Sequence, residues 1–89
     1  MFRSQRTKRF KALFEKLPSD AQSQTAETYK LFKKDPRHGS LQFKCVDESE
    51  NPPVYSIRIG AHYRALGYLE GDMVTWYWIG THEAYNKIV

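Results

Sequence analysis

At 89 residues, with 40% apolar and 15% aromatic side chains, the chain can build one domain with a real core and has no room for a second. Fourteen Lys and Arg stand against ten Asp and Glu, and five of the cations (Arg3, Arg6, Lys8, Arg9, Lys11) fall in the first eleven residues, which hold no acid; this favours a polyanionic partner, nucleic acid or an acidic protein, although a solvated basic helix face would look the same. A lone cysteine, Cys45, excludes an internal disulfide, and no apolar run approaches the roughly 20 residues that span a bilayer.

The start, Met-Phe-Arg-Ser-Gln-Arg, lacks the apolar stretch of a signal peptide, so a cytoplasmic location without a membrane partner is expected. Phe2 to Arg6 can form a short first strand. From Thr7 to Leu17, Phe10, Leu13, Phe14 and Leu17 recur at i, i+3, i+4 and i+7, the spacing of one apolar helix face. Pro18 breaks that helix, and Ser19 with Gln22 three residues on has the form of a capping box for a second one. The second helix is predicted to run to about Lys34, with Ala21, Thr25, Tyr29 and Phe32 inward, and Asp35-Pro36 ends it.

Leu41, Phe43 and Cys45 then alternate with Gln42, Lys44 and Val46 as a strand, and Asp47 to Pro53 reads as an exposed acidic loop. Three strands follow, Val54 to Ile59, Tyr63 to Glu70 and Met73 to Ile79, joined by turns at Gly60-Ala61-His62 and Gly71-Asp72. The expected fold class is α+β over residues 1–89: a short N-terminal strand and a two-helix antiparallel hairpin packed on a mostly antiparallel sheet of about four strands.

Turn length decides which side chains share a face. A three-residue loop at Gly60-Ala61-His62 pairs Ile59 with Tyr63, Arg58 with Arg64, Ile57 with Ala65 and Ser56 with Leu66. A two-residue loop would set Arg64 opposite Ile57 and bury an unpaired guanidinium, a costly error in a small core. Continuing through Gly71-Asp72 pairs Leu69 with Val74, Gly67 with Trp76 and Ala65 with Trp78. The predicted core face is therefore Tyr55, Ile57, Ile59, Tyr63, Ala65, Gly67, Leu69, Val74, Trp76 and Trp78; the other face holds Ser56, Arg58, Arg64, Leu66, Tyr68, Thr75, Tyr77 and Ile79. Two arginines facing each other across a strand pair repel unless an anion lies between them, and a phosphate matches their planar donor forks. Neutralisation by Glu70, Asp72 or the acidic loop is the structural alternative.

No Ser-His-Asp order, P-loop or dinucleotide fingerprint is present, and His38, His62 and Cys45 show no metal-ligand spacing, so no metal or cofactor is expected. The stretch Tyr55-Ser56-Ile57-Arg58-Ile59-Gly60-Ala61-His62-Tyr63-Arg64-Ala65-Leu66-Gly67-Tyr68, followed by Trp78-Ile79-Gly80-Thr81-His82-Glu83-Ala84-Tyr85, resembles the RelE/ParE superfamily of bacterial type II toxins, in its RelE/HigB/YafQ-like branch. The resemblance spans essentially the whole chain, and Tyr63-Arg64 with Gly-Thr-His-x-x-Tyr is its most specific part.

That resemblance implies a metal-independent endoribonuclease that cuts mRNA on the ribosome and so inhibits translation. It implies catalytic roles for Arg64 as transition-state clamp, Arg58 as its assistant, His82 as general acid or base and Tyr85 as a stacking or orienting residue. RNA contacts would come from Lys44, Tyr68, Tyr77, Arg3 and Arg6. His82 could instead cap the final segment, and Tyr85 could simply anchor it. The implied partners are a cognate antitoxin, the ribosome and mRNA, with operator DNA reached only through the antitoxin. The rival within the superfamily is a ParE-like inhibitor that binds DNA gyrase and cleaves nothing; a third possibility is a relative without activity.

Overall fold

The computed structural model describes residues 2–89, in the order β1 (Arg3–Arg6), α1 (Lys8–Glu15), α2 (Ser19–Lys34), a 3-10 turn (Gly39–Leu41), β2 (Lys44–Asp47), β3 (Val54–Ile59), β4 (Tyr63–Glu70), β5 (Met73–Thr81) and α3 (His82–Ile88). One sheet runs β1-β5-β4-β3-β2. Four strands are antiparallel neighbours, and the short N-terminal strand joins as a fifth, parallel to β5, with Ser4 beside Val74 and Arg6 beside Trp76. Among the described residues no helix is long and apolar enough to cross a membrane.

The helical hairpin forms where its periodicity placed it. Thr7 caps α1, its Oγ1 accepting from the Phe10 amide at 3.1 Å. Phe10 is buried, and Leu13, Phe14 and Leu17 pack partly buried around the same core. The capping box expected for α2 does not form. Pro18 takes the N-cap position, so Ser19 is already helical and makes no side-chain cap. Gln22 turns backward, and its Nε2 donates to the carbonyls of Phe14 and Leu17 at 3.2 Å. It thereby serves the open C-terminal end of α1, whose last carbonyls lack intrahelical partners.

On α2, Ala21 and Phe32 are buried as expected. Tyr29 is not: it is 43% exposed, with Lys33 Nζ 5.6 Å from its ring centroid. Its polar hydroxyl favours the wet side of the stripe, and the ring shelters the lysine stem. The strand expected from Leu41 begins only at Lys44, because the chain makes a 3-10 turn and then passes through a left-handed residue, Gln42. Leu41 and Phe43 nevertheless face the helices, Leu41 buried and Phe43 within 5.0 Å of the Phe32 ring.

The three-residue turn sets the β3–β4 register as derived, with Arg58 opposite Arg64 and Ile57 opposite Ala65. Across β4–β5 the predicted pairs hold for Leu69 with Val74 and Gly67 with Trp76, and then fail. A bulge between Leu66 and Gly67 inserts Tyr77 as an extra residue, so Trp78 pairs with Leu66 and Ile79 with Ala65. Trp78 thus leaves the predicted core face and Ile79 replaces it there. Glycines make room for both indoles: a Cβ on Gly67 would lie 2.8 Å from Trp76, and one on Gly80 would lie 2.6 Å from Trp78.

The sheet consequently has two unequal faces. The helix face buries Phe10, Phe32, Leu41, Ile57, Ile59, Ala65, Val74, Trp76 and Ile79 in one continuous core. On the open face α3 folds back, and Tyr85 closes a second, smaller cluster with Val54, Leu66 and Trp78. Thr81 starts that helix as an N-cap, its Oγ1 accepting from the Ala84 amide at 3.1 Å.

Candidate functional site

β3 and β4 present Arg58 and Arg64 side by side on the open face. Among the described residues neither forms an ion pair with Glu70, Asp72 or the acidic loop; Asp72 is engaged by Arg3 instead, at 2.9 and 3.0 Å. Each guanidinium has its own neutral acceptor. Arg58 Nε donates to the Gly60 carbonyl at 3.0 Å, and Arg64 Nη2 donates to Gln42 Oε1 at 3.2 Å. The two cations are thus held toward different acceptors, which eases their mutual repulsion without cancelling their charge.

Arg64 also lies over the Tyr85 ring, with Cζ 5.5 Å from its centroid, within the range of a cation–π contact. Its Nη1 is buried and has no hydrogen-bond partner among the described residues. A buried guanidinium N–H without an acceptor is costly, and an anionic oxygen reaching it would remove that cost. Tyr85, 7% exposed, points its hydroxyl at Ser56 Oγ, 3.4 Å away.

His82 opens α3 and is exposed. Its amide donates to the His62 carbonyl at 2.8 Å, tying the helix start to the β3–β4 turn, and its ring stacks near Tyr85 at 6.0 Å. Lys44 is exposed on β2 opposite Ser56, on the same face. Arg58, Arg64, His82 and Tyr85 therefore gather at one end of the open face, and Lys44 lies on the same face two strands from Arg64.

The remaining candidates lie elsewhere. Tyr68 and Tyr77 stack on each other, centroids 4.5 Å apart, at the far end beyond the Leu66–Trp78–Tyr85 cluster. Burial pushes the Tyr77 hydroxyl above its ordinary pKa, the neighbouring Tyr68 adds to this, and Arg9 opposes it. Arg3 is tied to Asp72 at the β4–β5 turn, and that ion pair and hydrogen bond hold the Asp72 carboxyl below its ordinary range. Arg6 shares the helix face with Trp76 and lines an apolar cavity of about 300 Å³ between the sheet and the hairpin. Gln42 and Ser56 complete the surroundings of Arg64 and Tyr85. Alternation had put Ser56 on this face, but nothing in the sequence marks Gln42.

A helical hairpin on one side of a five-stranded sheet is a fold shared with solved bacterial and archaeal toxin–antitoxin complexes. The RelE–RelB complex from Pyrococcus horikoshii is similar over 90% of this chain and 93% of that chain, with a TM-score of 0.71 and 13% identity. The RelB–RelE complex from Methanococcus jannaschii gives 0.70 over 93% and 95%, at 15% identity. The RelBE2 complex from Mycobacterium tuberculosis gives 0.71 over 91% and 98%, at 17% identity. These likenesses establish the fold. A search of curated proteins returns no match. The sequence profile of the ParE-like toxin domain matches residues 19–87, and the chain belongs to that family.

Proposed function

We propose that the chain is the toxin of a type II toxin–antitoxin pair and acts as a ribosome-dependent mRNA endoribonuclease. The observation that carries this reading is Arg64: a guanidinium unopposed by any acid among the described residues, beside Arg58, His82 and Tyr85, with a buried donor lacking an acceptor.

In this scheme a 2′-hydroxyl attacks the adjacent phosphorus. A 2′-O–P bond forms, the P–O5′ bond breaks, and a 2′,3′-cyclic phosphate is left. One proton leaves the 2′-oxygen and one reaches the 5′-oxygen; exposed His82 serves one of these transfers. Arg64 stabilises the charge that grows on the phosphorane, and Arg58 and Lys44 hold neighbouring phosphates. Tyr85 is buried, so its part is to support Arg64 rather than to stack on a base. Stacking falls to the exposed edge of the Tyr68–Tyr77 pair. Nη1 is buried, so a phosphate oxygen reaches it only if the groups around it shift. The scheme calls on no metal or cofactor.

A cognate antitoxin with an acidic segment suits the net charge of +4, and the similar folds named above come from complexes with RelB partners. Operator DNA would be reached through that antitoxin. The ParE-like name of the matching family supports a second reading, inhibition of DNA gyrase by protein contact. Induced expression in bacteria followed by primer extension separates the two. Cuts within translated codons, lost in both Arg64→Ala and His82→Ala, support cleavage; intact transcripts with an SOS response support gyrase inhibition.

A further inference from the structure

We infer that Gln42 is a positioning residue whose side-chain amide holds the Arg64 guanidinium in its working orientation, an inference that rests on the reading of Arg64 given above. Gln42 follows the 3-10 turn with φ 47° and ψ 43°. It is the one non-glycine residue with positive φ among the described residues; the other two such positions, Gly60 and Gly71, are glycine. A Cβ is disfavoured in this left-handed region, and glycine enters it freely. The chain thus places a long side chain at a site whose backbone would be satisfied more easily by none, and residues held in this way cluster at functional positions.

What glutamine supplies there is an acceptor for Arg64. Its Oε1 accepts from Nη2 at 3.2 Å, across 22 residues of sequence. In the sheet β3 separates β4, which carries Arg64, from β2, which Gln42 precedes, so the contact bridges over β3. It is the sole hydrogen bond of that guanidinium among the described residues, since Nη1 has no partner. On its other flank lies the Tyr85 ring at 5.5 Å.

A ring face restrains a guanidinium loosely, whereas one directed hydrogen bond fixes its rotation in plane. Arginine loses much side-chain freedom when it is ordered, and an acceptor that orders it beforehand lifts that loss from the encounter with substrate. An amide does so without charge. A glutamate at the same place would hold Arg64 more strongly and compete with the phosphate for it.

The test compares the wild-type chain with Gln42→Gly, Gln42→Glu and Arg64→Ala. Three readouts are used: melting temperature, ribosome-dependent cleavage of a defined mRNA, and the ¹⁵N NMR signal of the Arg64 guanidinium. For Gln42→Gly the melting temperature is expected to hold or rise, the guanidinium signal to show faster rotation, and cleavage to slow on the order of tenfold, the scale of one charge-assisted hydrogen bond. For Gln42→Glu the guanidinium is expected to stay ordered while cleavage is not restored. The inference is overturned if Gln42→Gly leaves the guanidinium signal unchanged, or if it lowers the melting temperature by as much as it lowers activity, which would mark a purely structural role. Failure of the wider reading looks different: Arg64→Ala would cleave as well as wild type, or wild type would not cleave at all. In that event the NMR signal alone decides whether Gln42 orders Arg64.

Discussion

The two faces of the sheet are made from alternate residues of the same strands, yet they do different work. The helix face is one apolar core in which Trp76 packs against Phe32 and Phe43, with Arg6 at its rim. The open face is divided. A four-residue cluster around Tyr85 separates an arginine end from a tyrosine end, and both ends keep polar groups within reach of solvent. A small domain can place its stability on one face and leave the other free to carry charge that would destabilise a core.

The sharpest way to break this division is to damage the core. Trp76→Ala, with Trp76 5% exposed, is expected to cost about 3–5 kcal/mol of stability. Much of a domain of this size would then be unfolded. Urea denaturation measures this, and a cost below 1 kcal/mol would mean that the helix face does not dominate the fold.

Gly80→Ala tests the open face. The added methyl would lie 2.6 Å from the Trp78 ring, so the indole must shift, at about 1–3 kcal/mol. Because Trp78 packs on Tyr85, and Tyr85 underlies Arg64, the same change is expected to weaken activity more than its stability loss explains. Equal losses, judged by comparing denaturation with toxicity, would show that the two ends of this face are independent of the cluster.

The smallest effect concerns Asp72 and Arg3, which fasten β1 to the β4–β5 turn. Asp72 has its folded pKa depressed, so its contribution is present above the ordinary aspartate pKa and is lost as the pH falls through the lower folded value. Both partners are exposed, and the contribution is small. Melting curves of wild type and Asp72→Asn should differ slightly at neutral pH and converge in acid; a gap that widens in acid would contradict this.

Much of this architecture could be read from residue spacing. Phe10, Leu13, Phe14 and Leu17 declared a helix face, and the length of the Gly60-Ala61-His62 turn fixed Arg58 opposite Arg64. The errors arose where a single residue changes the count. Nothing in Trp76-Tyr77-Trp78 distinguishes strict alternation from a bulge, and the bulge moved Trp78 across the sheet. Gly80, which clears space for that indole, was the available hint.

Ser19 and Gln22 had the spacing of a capping box, but Pro18 supplied the N-cap and freed Gln22 to serve the preceding helix. The closing helix α3 was not predicted, although Thr81 at its N-cap, Glu83 in its first turn and Lys87 in its last are signals of one. Of the candidate site, alternation and the family pattern reached Arg58, Arg64, His82, Tyr85 and Lys44. They could not reveal that Arg6 faces the helices, that Arg3 is spent on Asp72, or that a left-handed glutamine holds Arg64.

Arg64 is proposed to act on an RNA phosphate. Purified wild-type chain and Arg64→Ala, both shown folded by circular dichroism, should be added to ribosomes programmed with a defined mRNA, and the ends of the products determined. Wild type is expected to yield fragments ending in 2′,3′-cyclic phosphate, and Arg64→Ala to yield them about 10²–10³-fold more slowly. Undiminished cleavage by the variant, or intact mRNA with the wild type, would contradict the account.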